Sequence, residues 1–215
     1  MAPVDGGHLQ APELVDDPPD AQRRGRILAG LTACIADKGY HATTIADITR
    51  AARVSKTVYY AHFRGKEDCL LELYSRASDR VLQVLLTAAD DARAAGLPWR
   101  DTLQAVATAY LTALAEGPAV ARALLVEVPA AGPTALTLRR SVIDRYQEIL
   151  GGIAARLAEE HPATVRRLDP ALMLPVVGGI NEVLLARVQR GEAARLAEDA
   201  DLVAALLVTM LQRAD

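Results

Sequence analysis

From Gln22 onward, apolar residues recur along this 215-residue chain at helical spacing almost without interruption. Ile27, Leu31 and Ile35 stand at i, i+4 and i+8 with Leu28 beside them, and Gly39 closes that run. Thr43 and Thr44 offer capping oxygens to a short helix whose inward face is Ile45, Ile48 and Ala52. Ser55 caps a second short helix reaching about His62, and Gly65 breaks it. Lys66 opens a long amphipathic run through Leu70, Leu73, Tyr74, Val81 and Leu85 to about Ala95. After Gly96-Leu97-Pro98, an inward stripe of Leu103, Val106, Tyr110 and Leu114 marks the next helix. Gly117-Pro118 restarts the pattern as far as about Val128, and a connector from Pro129 to Pro133 leads into a helix ending near Glu160. Asp169-Pro170 pairs an N-cap with a first-turn proline and begins a helix that contains Gly178-Gly179 and stops near Gly191. A last helix spans about Ala200 to Arg213. No strand period and no internal repeat survive, so the pattern predicts an all-α fold of about nine helices.

Composition supports this reading. Ala (41) and Leu (30) make up about a third of the chain, against six Tyr, one Phe and one Trp. A β-sandwich or barrel would draw on β-branched and aromatic residues instead. At 51% apolar the chain can bury a substantial core.

The net charge of −3 conceals a segregation. Residues 1–21 carry five acids and no Lys or Arg; with four prolines among them they read as a disordered acidic leader. Residues 22–66 carry nine basic residues against Asp37 and Asp47, and residues 67–215 carry 15 basic and 20 acidic residues. A basic module therefore sits inside an acidic protein. Cys34 and Cys69 lie far apart in apolar runs, which suits buried thiols in a reducing cytoplasm. The start lacks the basic and apolar regions of a signal peptide, and charges interrupt every apolar run before 18 residues, so no membrane span is expected.

The two short helices across a tight turn are the informative feature. A helix-turn-helix lays its first helix across the DNA backbone and its second in the major groove. In the second, Val58, Tyr59 and Phe63 can pack inward, which leaves Lys56, Thr57, Tyr60 and His62 outward. An ammonium, hydroxyls and an imidazole are groups that reach phosphates and base edges. Lys66 opposes the dipole of the helix it begins, a placement that a nearby phosphate would explain.

The stretch Gly39-Tyr40-His41-Ala42-Thr43-Thr44-Ile45-Ala46-Asp47-Ile48, followed by Val54 to Asp68 (VSKTVYYAHFRGKED), resembles the TetR family's N-terminal DNA-binding domain. The resemblance covers about residues 22–70. It implies a homodimeric transcriptional regulator, usually a repressor, with a three-helix DNA-binding domain at 22–66 and an effector-binding and dimerisation domain at 67–215. On the family's pattern Thr43, Thr44, Arg53, Ser55, Lys56, Thr57, Tyr60, His62 and Lys66 would serve DNA binding, with Lys56 and Thr57 nearest the bases. Arg53 stands where the family usually has Gly, Thr57 where Gly is common, and Val58 where a small hydroxyl residue is common.

Tyr74, Trp99, Tyr110 and Tyr146 are the aromatic candidates for a ligand pocket, which requires that the helices leave a cavity. Arg122, Glu127, Asn181 and Glu182 are the polar candidates. Paired helical glycines, Gly178-Gly179, suit a close helix approach at a dimer contact or pocket floor. No G-x-S-x-G, P-loop or G-x-G-x-x-G occurs, and the four histidines are scattered, so no catalytic residues, metal site or cofactor are expected. The expected partners are a palindromic double-stranded operator, a second copy through the helices near 170–190 and 200–213, and a small apolar or amphipathic effector. Control by a protein partner, and an α-helical enzyme with a vestigial helix-turn-helix, are the alternatives.

Overall fold

The computed structural model describes residues 19–213; residues 1–18 of the expected leader lie outside the described residues. The last three residues of that leader already belong to α1 (Pro19–Ala42). Proline suits a helix's first position, and Asp20 complements the dipole there. Gly39, at φ 78 and ψ 166, breaks α1 before its last three residues, as the sequence predicts. The helix-turn-helix follows as α2 (Ile45–Ala52) and α3 (Lys56–His62).

Next come α4 (Lys66–Ala94), α5 (Trp99–Ala115) and α6 (Pro118–Arg122). A π-helical turn, Ala123–Glu127, continues α6 and leads to α7 (Pro133–Glu160). A 3-10 turn at Pro170–Leu172 precedes α8 (Met173–Gln189), and another at Ala193–Asp199 precedes α9 (Ala200–Leu211). Asp169 caps the first of these turns, its carboxylate accepting from the Ala171 amide at 2.9 Å. Among the described residues the only β pairing is a single bridge, Val165 to Gln212.

Two apolar cores share the bundle. The N-terminal core joins Ile27, Leu31 and Ile35 of α1 to Ile48 of α2, Tyr59 of α3, and Phe63. It also takes Leu70, Leu73 and Tyr74 from α4, Ala123 and Val128 from the π-helical region, and Ala135 and Val142 from α7. The C-terminal core takes Val81 to Ala89 of α4, Ile153 to Ala158 of α7, and the inner faces of α5, α8 and α9. Both α4 and α7 thus run through both cores, and packing continues across Lys66. Gly30 is required where α1 crosses α2, because a Cβ there would stand 2.9 Å from the Ile48 carbonyl oxygen.

The segment Pro170–Gln189 is long and apolar enough to cross a membrane by length and composition. It is interrupted by Glu182 and Arg187. Val176, Val177, Ile180, Leu184 and Val188 pack into the core, while Leu174, Gly178 and Gly179 face outward.

Candidate nucleic-acid interface and interior chambers

Thr44 caps α2 in a reciprocal arrangement: its hydroxyl oxygen accepts from the Asp47 amide, and the Asp47 carboxylate accepts from the Thr44 amide at 2.9 Å. Lys38 donates to the same carboxylate at 2.7 Å, so Lys38 first and Thr44 second hold the Asp47 carboxyl well below the usual carboxylate range. The far end of α2 closes on Arg53, which is left-handed at φ 55 and ψ 45. Its amide donates to the Arg50 carbonyl, and the next amide, Val54, donates to Thr49 at 3.0 Å. A non-glycine residue in this region costs about 1–2 kcal/mol.

Ser55 then caps α3, accepting from the Val58 amide at 3.1 Å. Tyr59 and Phe63 are fully enclosed, and the Tyr59 hydroxyl donates to the Gly65 carbonyl at 3.0 Å. Burial pushes the Tyr59 phenol upward in pKa, so it remains a donor. With these two residues fixed inward, Lys56, Thr57 and Tyr60 project into solvent and His62 is half-buried. Tyr60 is 56% exposed, a large value for an aromatic side chain, and its ring stands edge-on to Tyr59 at 5.6 Å. Val58 is only half-buried, less than its apolar character suggests. Arg50 and Arg64 extend this exposed basic surface beyond the residues singled out in the sequence; the Phe63-Arg64-Gly65 break was the available signal for Arg64. Arg24, by contrast, is structural: it makes two bonds to Glu72, at 2.6 and 2.5 Å, and lies over the Phe63 ring.

Two of the expected DNA residues have other roles. Thr43 is buried, and its hydroxyl donates to the Gly39 carbonyl at 2.7 Å, so it closes the end of α1. The Lys66 ammonium donates to the carbonyls of Tyr40, Thr43 and His41 at 2.9, 2.8 and 3.4 Å. Those carbonyls, freed where Gly39 breaks α1, explain the cation at a helix N-terminus without any phosphate. Partial burial lowers the Lys66 pKa, opposed by the Glu127 carboxylate.

In the C-terminal half, three small chambers adjoin. The first, about 40 Å³, is lined by Tyr74, Ser78, Tyr110, Arg139, Tyr146 and Asn181, with Leu124 and Leu125 of the π-helical turn also on its wall. The second, about 30 Å³, shares Tyr110, Tyr146 and Asn181. The third, about 20 Å³, shares Val106, Leu150 and Leu207 with the second and is apolar throughout. Tyr110 and Tyr146 meet at 6.1 Å in an edge-to-face pair. Burial pushes the Tyr74 phenol up to about 12 and raises those of Tyr110 and Tyr146 as well.

Four expected pocket residues therefore converge, and four do not. Trp99 is buried in the C-terminal core beneath the Arg100 guanidinium and lines none of the three chambers. Arg122 and Glu127 bind each other at 3.0 Å, five residues apart across the π-helical turn. They lie against the Gly39 break, where a Cβ would stand 3.6 Å from the Glu127 oxygen. Glu182 is exposed, because it is rotated about 100° from the inward Asn181. Among the described residues no cluster of three or more His, Cys, Asp or Glu could hold a metal ion.

Residues 27–73, which hold the capped α2, the left-handed turn and α3, match the family model for bacterial regulatory proteins of the tetR family. Residues 27–73 thus carry a tetR-family DNA-binding segment. Over 90 residues the chain is 34% identical to the HTH-type transcriptional activator FasR of Mycolicibacterium smegmatis, covering 40% of this chain and 39% of that protein. Over 59 residues it is 37% identical to the HTH-type transcriptional regulator HbdR of an Aromatoleum species, covering 27% and 24%. The matched stretch spans at most about two fifths of these curated relatives. The tetR fold extends further than the sequence likeness. The fatty acid degradation regulator FadR of Bacillus halodurans superposes with a TM-score of 0.76 at 21% identity, covering 86% of this chain and 94% of that one. FadR of Bacillus subtilis, solved in complex with stearoyl-CoA, gives 0.71 at 22% identity, covering 86% and 97%.

Proposed function

We propose that this protein is a cytoplasmic, homodimeric transcriptional regulator of the tetR family, a repressor, that binds a palindromic operator and is released by a small apolar or amphipathic ligand. The observation that carries the DNA reading is the outward face of α3. Lys56, Thr57 and Tyr60 stand free on one side while Tyr59 and Phe63 anchor the other. Arg53, Ser55 and His62 border that face, and Thr44 presents an exposed side chain at the start of α2. Donors and hydroxyls in this array suit base edges at its centre and phosphates at its rim. The DNA-binding unit on this reading is residues 22–66, and residues 67–215 carry ligand response and pairing.

Pairing is assigned to α8 and α9. Outward-facing Leu174, Gly178 and Gly179 on α8 and Leu202 and Ala205 on α9 form an apolar, smooth surface that a second copy would cover. Two-fold pairing presents two copies of α3, which is why the operator is expected to be palindromic. The ligand acts by favouring a dimer geometry that fits the operator poorly. An amphipathic ligand agrees with the largely apolar chambers, and the Bacillus subtilis neighbour was solved with stearoyl-CoA.

Selection from a random duplex pool followed by anisotropy titration tests the reading. A two-fold-symmetric site bound as a dimer is the expected result. Negligible binding to every duplex at about 50 mM salt, where phosphate contacts are strong, would overturn it.

A further inference from the structure

One of the interior chambers is lined by a cation with no counter-charge. On α7, Arg140 pairs with Asp144 and Arg145 pairs with Asp79, yet Arg139, next to Arg140, makes no ion pair or hydrogen bond among the described residues. Arg139 is half-buried and lines the first chamber. The Asn181 amide and the hydroxyls of Tyr110 and Tyr146 border the same space and likewise make no hydrogen bond among the described residues. No carboxylate lines any of the three chambers. Phenol, hydroxyl and amide groups can donate or accept, whereas a guanidinium can only donate, so Arg139 is the group here that calls for an acceptor.

Polarity also falls along the chambers. Arg139, Ser78 and Asn181 mark one end, Tyr110 and Tyr146 form the middle, and Leu103, Met173, Met210 and Leu211 form the other. Volumes of 20–40 Å³ hold a water or two. A larger guest must part the helices, and the π-helical turn carrying Leu124 and Leu125 is a natural place to yield.

We propose that the Arg139 chamber seats the acceptor-oxygen head of an amphipathic ligand, a carboxylate or acyl carbonyl, with its hydrocarbon chain running past Tyr110 and Tyr146 toward Met210. The proposal rests on the ligand-response reading above and names the chemistry of that ligand. Arg139 bonds the head oxygens, Asn181 and the two phenols complete their shell, and the apolar chambers take the chain.

Calorimetry on the full chain with dodecanoate, dodecanoyl-coenzyme A and dodecan-1-ol tests this. At least one acyl probe should bind more tightly than the alcohol, and the preference between acid and thioester identifies the head. Arg139→Met should weaken acyl binding about tenfold, a charge-assisted bond's worth, and weaken alcohol binding less. Asn181→Leu should narrow the same preference. The proposal is overturned if no probe binds, if the alcohol binds as tightly as both acyl probes, or if Arg139→Met leaves the preference intact. Operator binding measured on the same ligand-free preparations keeps the two readings separate: DNA binding without acyl preference rejects this proposal alone.

Discussion

Lys66 and Tyr40 are joined twice, for the Lys66 ammonium donates to the Tyr40 carbonyl at 2.9 Å and lies 4.2 Å from the centre of the Tyr40 ring. The first turn of α4 is thereby fastened to the segment that leads into α2. Lys66→Met should lower unfolding stability by about 2 kcal/mol, the scale of lost charge-assisted bonds to buried carbonyls. Chemical denaturation measures this. The salt slope of DNA binding should stay at the wild-type value. A slope reduced by about one unit would return Lys66 to the phosphate role.

Lys56→Ala should act in the opposite way. Its side chain leaves the first turn of α3 for solvent and supports nothing in the core. Stability should change by less than about 0.5 kcal/mol, whereas discrimination between operator and scrambled duplex should fall by about 1–3 kcal/mol. Competition titration with the two duplexes reads the difference.

Arg53→Gly separates backbone strain from DNA contact. Relieving a left-handed non-glycine residue should raise stability by about 1 kcal/mol. The lost guanidinium should at the same time weaken DNA binding, with a salt slope smaller by about one unit if Arg53 meets a phosphate. Melting and salt titration of one variant give both answers.

Asp47 makes the α2 cap sensitive to acid. Its carboxyl is held below the ordinary value by Lys38 and Thr44, so the folded state binds its proton less readily than the unfolded chain does. The resulting stabilisation is complete above the unfolded value of about 3.9 and is lost as pH falls below it. Asp47→Asn should therefore be less stable than wild type at about pH 7, with the gap narrowing as pH falls below about 3.9. Thr44→Ala should cost about 1 kcal/mol through the same cap. Urea unfolding across this range checks both variants.

Much of the fold is legible from local chemistry. Ser55 and Thr44 cap helices because their side chains reach backbone amides two or three residues on, and Gly39 ends α1 by adopting a positive φ. Tyr59 and Phe63 announce the inner face of α3 by spacing alone. The residues that escaped this reading do so through long-range partners. Lys66 meets carbonyls more than twenty positions away, and Gly30 is small because α2 crosses there. Arg122 and Glu127 are five apart, a spacing that meets across a π-helical turn and not along an α-helix, so periodicity hides their pairing. Trp99 and Tyr110 stand on one helix, and only the packing of α7 and α8 decides that Tyr110 borders a chamber.

At 1.5 Å per residue, the 29-residue α4 is about 43 Å long, and it enters both apolar cores as α7 does. A chain laid out in this way has no packing seam between the helix-turn-helix and the helices that follow it. A fragment stopping at Lys66 would strip Tyr59 and Phe63 of Leu70, Leu73 and Tyr74, and with them the packing that turns Lys56 and Tyr60 outward. The outward face of α3 and the interior chambers belong to one packed body, held in common by two long helices.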